Sequence, residues 1–230
     1  MKKGFTLAEV LITLAIIGVV AAMTIPTLIA NYQKKTYVTQ LQKTYSMIAN
    51  AAKMLMADEM VENLNHTYLF VDEDAVDSGD EEAYKNSVGV FLNKYFRVTK
   101  DCGYGSAKND LGCLAKEYTV ESNGSFGDIQ SFGGHYCVNI NNGSTICMTP
   151  FTKGYPAGIS IDVNGLTGPN VMGRDAFILS MNYRGEIAES FSDPSGMHLS
   201  ELCGDSSSSG YMYGLGCFTK IVEDGWKMDY

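Results

Sequence analysis

Three groups of residues in this 230-residue chain have types and spacings that could do chemistry. The first is Lys2-Lys3-Gly4 followed by Phe5-Thr6-Leu7-Ala8-Glu9, where Glu9 stands at the mouth of 24 residues, Val10 to Gln33, without one Asp, Glu, Lys or Arg. A carboxylate at the edge of so apolar a run is costly to bury in lipid, so it needs a charged partner or a function. The second group is six cysteines, which can cross-link the chain in an oxidising compartment. The third is Asp162, Asn164 and Asp175, hard oxygen donors spread around a Gly-rich stretch, a chemistry that suits calcium. Asp and Asn in such a stretch also cap turns through their own backbone, so both uses stay open.

Other chemistries find little support. His66, His135 and His198 are scattered, no Ser or Cys stands in a nucleophile arrangement with them, and no Gly-rich phosphate loop follows a strand pattern. No enzyme is expected. The cysteines contain no Cys-x-x-Cys pair, which argues against zinc. A formal charge of −9 disfavours a broad basic face, so nucleic acid is not an expected partner.

These residues need elements to hold them. The uncharged run (Leu11, Ile12, Leu14, Ile16, Ile17 and onward to Ile29) is long enough to cross a bilayer as a helix. Pro26 should kink or locally melt that helix near Met23 to Ile25. Beyond it, Val38, Leu41, Tyr45, Ile48, Ala52 and Leu55 recur at alternating spacings of 3 and 4, which extends the helix as an apolar stripe. The segment Val71 to Glu82 reads as a solvated acidic loop, and an amphipathic helix should run from Glu82 to Phe96.

Strand signals follow. Tyr136 to Ile140 and Thr145 to Met148 flank Asn141-Asn142-Gly143-Ser144 as a hairpin. Gly158 to Val163 alternates in polarity, and Asp175 to Asn182 should pair with Glu186 to Ala188. The expected fold class is α+β: a long N-terminal helix packed against a C-terminal antiparallel sheet. Trp226 should anchor a final strand in the core, and Ser206 to Ser209 read as a loop tip. Sequence neighbours suggest disulfides Cys102 with Cys113, Cys137 with Cys147 and Cys203 with Cys217, although six cysteines permit 15 pairings and the spacing does not choose among them.

The order Gly4-Phe5-Thr6-Leu7-x-Glu9 after a short basic leader, then a long apolar helix, resembles the class III leader of type IV pilins and type II secretion pseudopilins. The resemblance implies a leader at 1–4, a membrane or filament-core helix at 5–33, and a globular domain at 34–230 that includes the outer half of the helix. It further implies cleavage after Gly4 by a prepilin peptidase and N-methylation of Phe5. Glu9 would then neutralise the Phe5 ammonium of a neighbouring subunit during assembly. The partners implied are prepilin peptidase, other pilin or pseudopilin subunits and an inner-membrane assembly platform. The protein would sit in the bacterial inner membrane as a single-pass subunit, with its globular domain outside the cytoplasm. The stretch Asp162 to Phe177 is similar to a segment of pseudopilin globular domains, and major pseudopilins bind calcium in a loop of that domain. The function implied is a structural subunit of a type II secretion pseudopilus or type IV pilus. The alternatives are a minor tip pilin acting as adhesin or DNA-uptake module, and a signal-anchored periplasmic protein that never polymerises.

Overall fold

A computed structural model of the chain describes residues 6–105, 112–115, 117–120, 125–127, 135–189, 198–203 and 214–230. Gly4, Phe5 and the Ser206 to Ser209 tip lie outside the described residues. The chain divides into two compact units, Met1–Thr36 and Tyr37–Tyr230.

Helix α1 covers Leu7–Asp58, 52 residues. In the first unit its large apolar side chains are exposed, including Leu7, Leu11, Ile16, Val19, Met23 and Leu28. The helix continues unbroken through Pro26, and no melted turn appears near Met23 to Ile25 as the sequence led one to expect. One missing N–H is tolerated where the turns on both sides keep their own hydrogen bonds. In the second unit, α1 buries Tyr37, Val38, Leu41, Thr44, Ile48, Ala51, Ala52 and Leu55, the 3–4 spacing of one helical face. Tyr45 sits at the stripe's edge, partly buried against the Trp226 and Phe218 rings at 5.5 and 5.8 Å.

The acidic stretch is not a plain loop. It folds as two short helices, α2 (Glu73–Asp77) and α3 (Glu81–Tyr84). The Asp80 carboxylate accepts from the Glu82 and Ala83 N–H groups, and acids in a first turn face the positive end of the helix dipole. The expected helix to Phe96 is present but interrupted. A π-turn spans Lys85–Gly89 before α4 (Val90–Tyr95), and Gly89 lies so close to the Tyr136 ring that a Cβ would meet it at 2.9 Å.

Six strands form one antiparallel sheet in the order β1-β4-β5-β6-β7-β8. They are β1 (Val98–Gly105), β4 (His135–Ile140), β5 (Thr145–Met148), β6 (Ala157–Asp162), β7 (Ala176–Met181) and β8 (Ile187–Glu189), while β2 (Tyr118–Thr119) and β3 (Ser125–Gly127) pair separately. The sheet turns Val138, Ile146, Ile159, Ile161, Phe177 and Leu179 toward the cluster that holds the α1 stripe. Cys137, Cys147 and Ala176 face a second cluster with Tyr118, Leu114 and Met172. This alternation is the period-2 pattern of a strand covered on both faces. Edge strand β1, absent from the sequence expectation, pairs with β4 through two register shifts, between Val98 and Lys100 and between Asp101 and Gly103.

Disulfides join Cys102–Cys113, Cys137–Cys147 and Cys203–Cys217. Cys137 and Cys147 stand directly opposite across β4 and β5, with Cα atoms 4.1 Å apart. The final element is helix α5 (Cys217–Glu223), not a strand. Trp226 follows it and packs edge-on against Phe218 at 6.2 Å, so the expected strand anchor is instead a plug after a helix.

Candidate functional site

The N-terminal site is built from Thr6 and Glu9. Thr6 precedes the first helical residue, and Glu9 lies three positions on, the spacing of a capping box. The Glu9 Oε2 accepts from the Thr6 N–H and from the Thr6 hydroxyl, both at 2.8 Å, while the Glu9 N–H donates to the Thr6 hydroxyl oxygen at 3.3 Å. The carboxylate that looked partnerless in the sequence thus satisfies donors of its own helix start. The Thr-x-x-Glu order was the available signal for this.

Past Glu9 the helix is long and apolar enough to cross a membrane, and none of that window is buried. Its polar side chains are turned inward on the backbone: Thr13 donates to the Val10 carbonyl and Thr24 to the Val20 carbonyl, each at 2.9 Å. Such bonds hide hydroxyls that lipid could not solvate. Exposed apolar surface of this extent calls for lipid or for other apolar helices.

The third group of sequence residues comes together at the end of β6. Asp162 and Asp175 are 1% and 0% exposed. The Asp162 Oδ2 accepts from the Tyr118 hydroxyl at 2.6 Å, and its Oδ1 from the Asn164 N–H at 3.1 Å. Asp175 accepts from the Asn170 and Val171 N–H groups at 2.8 and 2.6 Å, and the Asn164 side chain also hydrogen-bonds it. Burial pushes the Asp162 carboxyl up to about 7, opposed by the Tyr118 hydrogen bond and reinforced by the Asp175 charge. Burial likewise raises Asp175. Burial and the Asp162 carboxylate hold Tyr118 above the usual phenol range.

Two amide oxygens in this loop, Asn164 Oδ1 and Asn170 Oδ1, are buried without a hydrogen-bond partner. Two desolvated carboxylates beside two orphaned amide oxygens fit the donor chemistry of a hard divalent cation. Among the described residues, no group of three or more His, Cys, Asp and Glu side chains is drawn together, so any metal held here would lean on the asparagines. The turn-capping use also occurs, since both carboxylates bind backbone N–H groups.

Sequence reasoning missed one constellation. His198 Nδ1 lies 2.9 Å from the Ser200 hydroxyl, and its Nε2 lies 3.6 Å from a Glu223 oxygen. The second separation is too long for the orienting hydrogen bond that a nucleophile-base-acid set requires. Both side chains are open to water, at 61% and 45% exposed.

Compared with known protein families, residues 1–25 match the prokaryotic N-terminal methylation motif, the prepilin-type signal of type IV pilins and pseudopilins. No curated protein and no solved structure matches the chain.

Proposed function

We propose that this chain is a structural subunit of a type II secretion pseudopilus or type IV pilus, polymerised through its N-terminal helix. The methylation motif supports a type IV pilin-like protein processed by prepilin peptidase, and with the apolar helix it fits membrane anchoring. The same motif favours a structural role over an enzymatic one. The observation that carries the finer reading is Glu9, the acid at the head of the uncharged apolar stretch Val10 to Gln33, whose membrane-spanning window is unburied. Lipid gives apolar helices no hydrophobic reason to associate, so matched charges at their ends supply a specific attraction. The cleaved Phe5 ammonium of one copy and the Glu9 carboxylate of the next supply that match and set the stagger between them. Prepilin peptidase, sister subunits and an inner-membrane assembly platform are the partners of this reading, with the domain from Tyr37 onward outside the cytoplasm.

The direct test is the intact mass of protein extracted from membranes. Loss of Met1 to Gly4, gain of one methyl group and loss of six hydrogen atoms on oxidation to three disulfides are expected. A mature chain still beginning at Met1 overturns the reading.

A calcium ion at Asp162, Asn164 and Asp175 belongs to the pseudopilin side of this proposal, supported by the orphaned amide oxygens. Held there, it would neutralise two carboxylates that burial otherwise penalises and tie the loop after β6 to the start of β7.

A second reading, a minor tip pilin with a binding face, draws on one feature. A cleft of about 710 Å³ is lined by Tyr84, Tyr104 and Tyr155 together with Glu73, Asp77 and Thr152. Aromatic rings beside polar groups are the make-up of a small-ligand site. A tip role predicts a protein present at few copies per filament, whereas a shaft subunit is present at many.

A further inference from the structure

We infer that the outer face of α1 docks the acidic segment Asp72 to Glu82 of a second copy of this chain. The inference rests on the filament-subunit reading and names a contact between globular domains that the anchor helix does not supply.

Between Tyr37 and Ala57, α1 contains no Asp or Glu, and its charges are Lys43 and Lys53. Both lysines are exposed, with exposed Ser46 and Asn50 between them, while the opposite face of the helix is committed to the core. The segment Asp72 to Glu82 is the reverse case: seven carboxylates and no Lys, Arg or His in 11 residues. Helices α2 and α3 fix these acids in place instead of leaving them on a loose loop. Within the same copy, Lys153 lines the recess beside Asp72, Glu73 and Asp74, one cation against three anions.

Lys43 and the acidic segment sit at different ends of β5, whereas Lys53 follows Ala52, which packs on Gly185 of the β7–β8 turn, toward the acidic end. Thr44, next to Lys43, meets Ser144 at 3.2 Å and Asn142 at 3.0 Å in the turn that leads into the strand. The acidic segment is fastened beyond the other end, where the Val71 N–H donates to the Phe151 carbonyl at 2.9 Å and α2 borders Pro150 and Thr152. Lys43 and the acids at opposite ends give a head-to-tail contact, which repeats along a filament instead of closing on a pair. Opposite signs favour encounter in the productive orientation, and like-signed patches repel the wrong one.

Zero-length carbodiimide coupling on membranes containing the full-length protein tests this, because the reagent joins a lysine to a carboxylate it already touches. Peptide mapping of the dimer band should link Lys43 or Lys53 to an acid between Asp72 and Glu82. Salt added before the reagent should lower the dimer yield severalfold, since these charges lie in water. Two variants, Lys43→Gln/Lys53→Gln and one with the seven acids replaced by their amides, should each lose the band alone. Co-expressed, they should recover it, because one then supplies the acids and the other the lysines. Dimers linked through other lysines, or no recovery on co-expression, overturn the docking. If carbodiimide yields no dimer while an amine-to-amine reagent captures oligomers, the docking fails and the filament reading stands. If neither reagent captures oligomers, both fall.

Discussion

The Glu9 carboxylate and Thr6 close on one another, with Oε2 taking hydrogen bonds from both the main-chain N–H and the hydroxyl of Thr6 at 2.8 Å. A lone copy therefore already has a use for the acid. Pairing with a neighbour's ammonium must add to, or replace, a capping arrangement that costs about 1 kcal/mol to remove. The two roles separate by mutation. Thr6→Ala should weaken the helix start by about that amount and leave assembly in place. Glu9→Val should still insert in the membrane and yet stop filament growth. Flotation of membranes and pelleting of sheared filaments report the two outcomes, and Glu9→Val filaments at wild-type yield would remove the charge-pairing account.

Processing depends on the small residue before Phe5. Gly4→Leu should leave Met1 to Gly4 attached, visible as an unshifted intact mass and an unmethylated N-terminus. Gly4→Ala should be cut slowly or normally. Full maturation of the leucine variant contradicts the assignment of the leader.

Calcium should raise the melting temperature of the protein if the loop around Asp162 and Asp175 holds it. A ligand at about 100 times its dissociation constant stabilises by roughly 2.7 kcal/mol, enough to read in a thermal scan. Asp162→Asn should abolish the increment. A melting curve unmoved by millimolar calcium would leave these carboxylates as turn caps alone.

Acidity should matter at the junction of β8 and α5. Burial raises the Glu189 carboxyl above its ordinary 4.5, against hydrogen bonds from Thr219 that lower it. The folded state thus holds this proton more tightly than the unfolded chain does. Its contribution to stability is complete below the ordinary value and is lost as pH rises through the raised one. Glu189→Gln keeps an oxygen for the Thr219 donors and should flatten that part of the curve. Melting temperatures measured at intervals from about pH 4 to about pH 7 give the comparison. Identical slopes in the two proteins would show that Glu189 does not titrate with folding.

The long helix, its buried stripe and five of the six strands of the main sheet were legible because periodicity, not detail, specifies them: Leu41, Ile48 and Leu55 repeat at helical spacing, and Ile159 and Ile161 alternate with Ser160. Strand β1 was hidden by its own irregularity. Thr99, Lys100 and Asp101 are all exposed and two register shifts break its alternation, so no period-2 signal survives. The acidic helices were missed because charge dominated the reading, although Asp80 two residues before Glu82 is an N-cap position. The mutual hold of Thr6 and Glu9 was present as a Thr-x-x-Glu pattern and was obscured by the more demanding question of a charge near lipid. The clustering of Asp162, Asn164 and Asp175 was anticipated as a set of oxygen donors. Its link to Tyr118 was not, since 44 residues separate the pair.

Strand β1 is the flank at which the six-stranded sheet stops, and it is eight residues long. In an array that presses many identical sheets together, a straight open border of that length would offer each neighbour a template to zip onto. The two bulges bend it out of true, the Cys102–Cys113 bond lashes a strip of chain beside it, and Lys100 reaches across to the Gly112 carbonyl. Reducing that one bond should expose the border and turn orderly stacking into irreversible clumping.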